Sequence, residues 1–398
     1  MPGLAYMGGI FVHSLKKAAA CIAALIMFAA SFAGAPVTAL AGSEGSGRAV
    51  QLTRSAAYSR AARKEARWLM SLQLSDGSFS CYGINGEKTA RINPYFGANT
   101  ALALLRTDSG KVRGGAVKRF IGWYLAHINT KETDKNGVSG TIYDYMATID
   151  GKRVISETSE GDYDSIDSYS AIFLTLVREY RDKYGDSSYI SANMDKIDTV
   201  AGALFHTLKN GFSFATDGYP YKLLMDNCEV YRGLADGAKL FSGAKARRCA
   251  RAAAVFKRRF DAKWWLRDHY ASVLNSDGSP YQKGRANWGE LYGFSLSQLF
   301  PVIFGVKTPG AASSKKVYGI FCKKWNWQRM AYRGQNKDDK TWSLIAYAAA
   351  RMGDWRRLGT YYKSYAGIKR GYPFYSGDSS WALLAFDAAA KHYKKIGQ

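Results

Sequence analysis

The stretch GDYDSIDSYSAIFLTLVREY, residues 161–180, sets Asp162, Asp164, Asp167, Tyr163 and Tyr169 close together and then runs into Ile172, Phe173, Leu174, Leu176 and Val177. A helix that is apolar almost all round is one enclosed by other helices. Five further stretches share that character, near 96–106, 227–241, 288–304, 340–352 and 379–395. Amphipathic helices come before them. Residues 56–73 carry Tyr58, Ala61, Ala62, Trp68, Leu69 and Leu72 on one face, and Val117, Phe120, Ile121, Tyr124, Leu125 and Ile128 form a second stripe. Ile197, Val200, Ala201, Leu204, Phe205 and Leu208 repeat the i, i+3, i+4, i+7 spacing. Six pairs of an amphipathic helix and an all-apolar one describe an inner ring wrapped by an outer ring. The expected fold is therefore all-α, an (α/α)6 toroid. Strand signals are scarce, with Thr141 to Tyr145 reading as a short hairpin arm.

Around this core the chain of 398 residues, 47% hydrophobic, shows no second domain boundary. Residues 55–398 read as one toroid and 42–54 as a linker opening on GSEGSG. Lys16 and Lys17, the apolar AAACIAALIMFAASFAGA and the Ala39-Leu40-Ala41 site mark 1–41 as a signal peptide, with an uncleaved anchor as the alternative. The expectation is a secreted, monomeric protein. Beyond Cys21 there are Cys81, Cys228, Cys249 and Cys322, too few for a disulfide scaffold. A Cys228–Cys249 bridge and buried free thiols both remain open. A net charge of +24 favours acidic cell-wall polymers as associates. No nucleic-acid motif accompanies it, and KARRCARAAAVFKRRF (245–260) reads as a solvated helix face.

The segments before the inner helices resemble one another: SDGSFS (75–80), NGVSGTIYDY (136–145), NGFSFATDGYPYKLLMDNCE (210–229), SDGSPYQKGRANWGE (276–290), YRGQNKDDKTW (332–342) and YPFYSGDSSW (372–381). Each brings turn residues, aromatics and, in most cases, acids to a helix start. In a toroid these segments open onto one end of the barrel, which makes a cleft suited to gripping sugars. No cofactor is expected, since phosphate and dinucleotide glycine motifs are missing. No metal is expected either: the acids lack calcium-loop spacing, and His127 and His206 fall on outer helices.

DYDSIDSYSAIFL, YPYKLLMDNCEVYRGL, NWGELYGFSLSQLFPVIFGV and DSSWALLAFDAAA resemble the six-hairpin glycosidase superfamily over about residues 55 to 395. They look closest to an exported bacterial group carrying DYDSxDSY and LMDNCEVY blocks. The resemblance implies hydrolysis of a glycosidic bond in a polysaccharide or oligosaccharide, mostly with inversion, by paired Asp or Glu at one mouth of the barrel. It carries no proven acid and base onto this chain.

That chemistry needs one protonated carboxylic acid and one carboxylate, about 6.5–9.5 Å apart for inversion and about 5 Å for retention. The candidates are Asp162, Asp164 and Asp167, then Asp226 and Glu229, then Glu290. Asp164-x-x-Asp167, Asp226-x-x-Glu229 and Asn287-x-x-Glu290 also have the spacing of an N-cap with an acidic partner, a purely structural use. Asp162 is surplus to any such cap, which favours function. The helix dipole favours ionised acids at these positions, so crowding must raise the pKa of one of them. The expected dyad joins one acid from 162–167 to one from 226–229. Tyr163, Tyr169, Tyr221, Tyr231, Trp288, Trp342 and Trp381 are candidates to stack on sugar, and Asn227 and Glu290 to bind hydroxyls. Competing readings are a carbohydrate- or polymer-binding protein without catalysis, and a polysaccharide lyase with Tyr163 or Tyr231 as base. A terpene-cyclase-like toroid has only Gln73-x-x-x-Gly77-x-Phe79 in its favour.

Overall fold

The structure, a computed structural model, describes residues 47–331 and 341–397. The expected signal peptide, the first part of the linker and residues 332–340 of the fifth loop lie outside it. Six outer and inner segments alternate along the chain. Gly47–Ser71 leads to Pro94–Arg106, Gly114–Ala126 to Ile166–Tyr184, and Met194–Thr207 to Leu224–Leu240. Gly243–Trp264 leads to an irregular segment ending in Phe300–Ile303, Ala312–Lys324 to Leu344–Met352, and Trp355–Tyr365 to Ser376–Ile396. Each inner segment packs on the next, and the last returns to Pro94–Arg106, so the ring is closed. This is the expected (α/α)6 toroid.

The inner helices bury most of their side chains because neighbours flank them on several sides. In Ile166–Tyr184 everything from Ile166 to Val177 is buried. Close approach depends on small residues: a Cβ at Gly233 would lie 2.6 Å from the Ala171 Cα, so only glycine lets helices 166–184 and 224–240 meet there. At one end of the ring, Arg106 grips Glu179 through two bonds of 2.8 and 2.9 Å. Arg178 and Arg232 hold Asp236 at 2.8 and 2.6 Å. This ion network closes the end formed by the C-termini of the inner helices. Above it Trp381 packs on Phe304 and Tyr347 and fills the axis.

Three expectations change. The helix from Gly47 starts inside the expected linker. The fourth inner helix is broken: Tyr292 is extended and Gly293 has φ 81°, so a π turn (Leu291–Ser295) and a 3-10 turn (Ser297–Leu299) precede the short helix. The left-handed backbone at Gly293 favours glycine, since a side chain there would be strained. The expected hairpin arm at Thr141 to Tyr145 is not formed there: residues 141–144 are irregular, and the sheet begins at Tyr145, with β1 (Thr89–Ile92), β2 (Tyr145–Asp150) and β3 (Arg153–Ser159) antiparallel in that order. Cys81, Cys228, Cys249 and Cys322 are free thiols, and a Cys228–Cys249 bridge is not formed.

Candidate active site

The inner helices 166–184 and 224–240 start side by side at the open end of the ring. Asp167 sits in the first turn of one and is fully buried. Its Oδ1 accepts the Ser168 backbone N–H at 2.8 Å, and its Oδ2 accepts the Ser213 hydroxyl at 2.6 Å. Burial pushes its carboxyl up to about 7. Asp226, in the first turn of the other helix, keeps partial access to solvent. Desolvation, followed by the charges of Asp167, Glu229 and Asp164, holds its carboxyl well above the usual range. Glu229 lies almost one turn further on, is 1% exposed and accepts the Tyr95 hydroxyl at 2.6 Å. Burial raises it to about 8, against the opposing effect of Tyr95. Asp164 is exposed at the rim, its charge reaching Asp226 and Tyr169.

Four of the five acids expected to act at the mouth are thus one cluster. The helix dipole does not keep Asp167, Asp226 and Glu229 ionised. It contributes about 0.3–1 kcal/mol, less than one pKa unit, whereas full burial shifts a carboxyl by up to about 3–5 units. The cap reading is also overturned. The N-cap positions are Ser165, Leu223 and Glu290, and none makes a side-chain cap bond.

Beside this cluster stands a second network. In the β1–β2 register Ile92 pairs with Tyr145, so Asn93 and Asp144 meet at the end of the sheet. Asn93 Nδ2 lies 2.9 Å from both Asp144 oxygens, the Tyr169 hydroxyl donates to Asp144 at 3.0 Å, and Arg91 pairs with it at 3.2 Å. Burial still raises Asp144 to about 7, with Arg91 working against the rise. Tyr169 stacks on Tyr95 with centroids 5.8 Å apart, which joins the two networks. Asp144, Asn93, Tyr95 and Ser168 were not among the expected site residues. Asn93 before Pro94 carries the signature of an N-cap with proline at the first helical position, and Asn93 does cap Phe96.

The remaining candidates divide. Asp162 stands apart: its exposed carboxylate pairs with Lys135, and its carbonyl accepts the Asp144 N–H at 2.9 Å. It is not surplus to structure. Tyr163 is buried, stacks on Tyr143 and accepts from Asn136 at 2.9 Å. Asn227 is fully buried, clamping both the N–H and the carbonyl of Ser213 at 2.9 and 3.0 Å, so nothing is left for a sugar. Tyr231 faces the outer ring, stacked on Phe256 with Lys257 above it. Trp381 fills the axis, and Trp342 is buried against Tyr292. Trp288 packs edge-on against Phe294. Glu290 is exposed and bonded to Asn287 at 2.9 Å. Tyr221 keeps the better claim: it packs on Tyr219 and Tyr281, all three partly exposed, and Tyr219 feels the charge of Asp226. Among the described residues, no group of three or more His, Cys, Asp or Glu side chains could hold a metal ion.

No protein-family model matches the sequence, and no curated protein matches it. Solved structures do match its fold. A wild-type glycosidase aligns with TM-score 0.60 at 13% identity, covering 86% of this chain and 98% of its own. A cold-adapted family 8 xylanase in complex with substrate gives 0.56 at 9%, covering 84% and 91%. A β-1,3-1,4-glucanase from Paenibacillus sp. X4 gives 0.54 at 12%, covering 84% and 92%. The chain therefore shares its fold with these structures. At such identities the likeness is one of architecture.

Proposed function

We infer that the protein is a glycoside hydrolase acting on a polysaccharide or oligosaccharide at the open mouth of the toroid. The observation that carries this reading is Asp226. Burial and three neighbouring acids push its carboxyl well above the usual range, in a residue that is only partly buried at the helix start. Such a group can give a proton to a leaving oxygen. Asp164, exposed and within electrostatic reach of it, serves as the carboxylate that activates water. Asp167 and Glu229 are too buried to touch substrate, and when ionised their charges oppose loss of the Asp226 proton. Tyr219, Tyr221 and Tyr281 offer ring faces to a sugar beside the acid. The structural neighbours named as glycosidase, xylanase and glucanase support a carbohydrate substrate. The lyase alternative loses both of its bases, since Tyr163 is buried in a hydrogen-bonded loop and Tyr231 faces the outer ring.

The test is release of reducing ends from a panel of neutral and acidic polysaccharides. Asp226→Asn and Asp164→Asn should each lower kcat by roughly 100- to 10,000-fold with the helical circular dichroism intact, while Asp162→Asn keeps wild-type turnover. Full activity in both of the first two variants would end this assignment. Export belongs to the same reading, resting on Lys16, Lys17 and the apolar stretch after them. Amino-terminal sequencing of the mature protein should then begin at Gly42.

A further inference from the structure

A cavity of about 310 Å³ lies on the outer ring, away from the carboxylate cluster, in the seam between helices 47–71 and 355–365. Arg60, Lys64 and Arg67 line one side and Arg370 the other, facing a single carboxylate, Glu65. That carboxylate is already committed. Glu65 is 2% exposed, ion-paired to Arg370, and accepts the Tyr365 and Ser379 hydroxyls at 3.0 and 2.7 Å. It fixes Arg370, whose guanidinium lies 5.3 Å over the Trp68 ring and 5.6 Å over Phe374. Arg370 Nη1 has no hydrogen-bond acceptor. Arg60, Lys64 and Arg67 are exposed and have no ion-pair partner among the described residues. Their i, i+4, i+7 spacing places them on one helix face, within roughly 10 Å along the axis. Between the cations the lining is apolar or aromatic, with Ala61, Tyr362 and Ile368 partly exposed.

We propose that this cavity is a second binding site, for an acidic sugar unit carrying a carboxylate or phosphate. Its volume is at the lower end of small-molecule sites and far exceeds that of a bare phosphate, so the ligand brings a body as well as a charge. A pyranose ring suits such a lining, because one face presents C–H groups to Tyr362 and Ile368 while its acid reaches the cations. Arg370 is held in place before binding, so little side-chain freedom is lost there on capture. None of the lining residues belongs to the Asp226 cluster, so the site works whether or not that cluster hydrolyses anything.

The experiment is calorimetric titration of a galacturonate tetramer, glucose 6-phosphate and neutral xylotetraose into the full chain. The same ligands are titrated into the R60Q/K64Q/R67Q triple variant and into Asp226→Asn. An acidic ligand should bind the unaltered protein and Asp226→Asn alike, bind the triple variant at least tenfold more weakly, and weaken with added salt. Preference for galacturonate or for the sugar phosphate identifies the acid group. Xylotetraose should not distinguish the triple variant from wild type. Three results overturn the proposal: neither acid binds, the triple variant binds as well as wild type, or Asp226→Asn alone abolishes binding. Matching circular dichroism spectra exclude misfolding, since the three substituted side chains are on the surface.

Discussion

Asp167 never reaches solvent, yet its charge stands directly behind burial in setting Asp226. Replacing it with asparagine keeps a partner for the Ser213 hydroxyl and removes one repelling charge. Asp226 then loses its proton more readily, so the alkaline limb of kcat/KM should move to lower pH in Asp167→Asn, with the acid limb less affected. A pH–rate profile reads this, and an unmoved alkaline limb would detach Asp167 from the proton donor. The same residues couple stability to pH. Asp167 and Glu229 hold their protons up to about 7 and about 8 in the fold, against ordinary values of 3.8 and 4.5. Their contribution is complete below pH 4 and is lost as the pH rises through those folded values. Melting temperature should therefore fall between pH 5 and 8, and Glu229→Gln should flatten the decline.

At the level of elements, buried acids divide between two ends of the same helices. Those at the N-termini face one another and repel, whereas Glu179 and Asp236 near the C-termini are matched by Arg106, Arg178 and Arg232. Asp236→Ala would leave two partly buried guanidinium groups short of a partner and should cost about 3 kcal/mol in urea unfolding. The open end should keep its pH profile in that variant. Apolar helices alternating with amphipathic ones were legible because burial on all sides leaves no polar face to hide. The fourth inner segment was not, since its apolar letters match a helix and the break comes from the backbone at Tyr292 and Gly293. Asp164, Asp167, Asp226 and Glu229 were legible as acids at helix starts. Asp144 and Tyr95 were not: they act through partners 51 and 134 residues away, Asn93 and Glu229. Asn227 misled in the other direction, as an amide at the mouth that proved to be a clamp on Ser213.

At the scale of the molecule, the toroid is held shut by its first and last helices. Ser55 bonds to Ala390 at 3.0 Å, Tyr58 stacks on Tyr393 with rings 3° from parallel, and Glu65 bonds to Ser379. The two helices run antiparallel, so the start of the first lies toward the end of the last. Topologically the described chain is almost a circle cut at one point, and the cut need not be there. A circular permutant joining 397 to 47 through a short glycine-serine bridge, with new ends opened at the exposed turn of Gly110 and Lys111, should fold to the same toroid. It should melt in a single transition and keep the mouth's activity. Loss of cooperative unfolding would mean that the order in which the hairpins are laid down matters as much as the ring they complete.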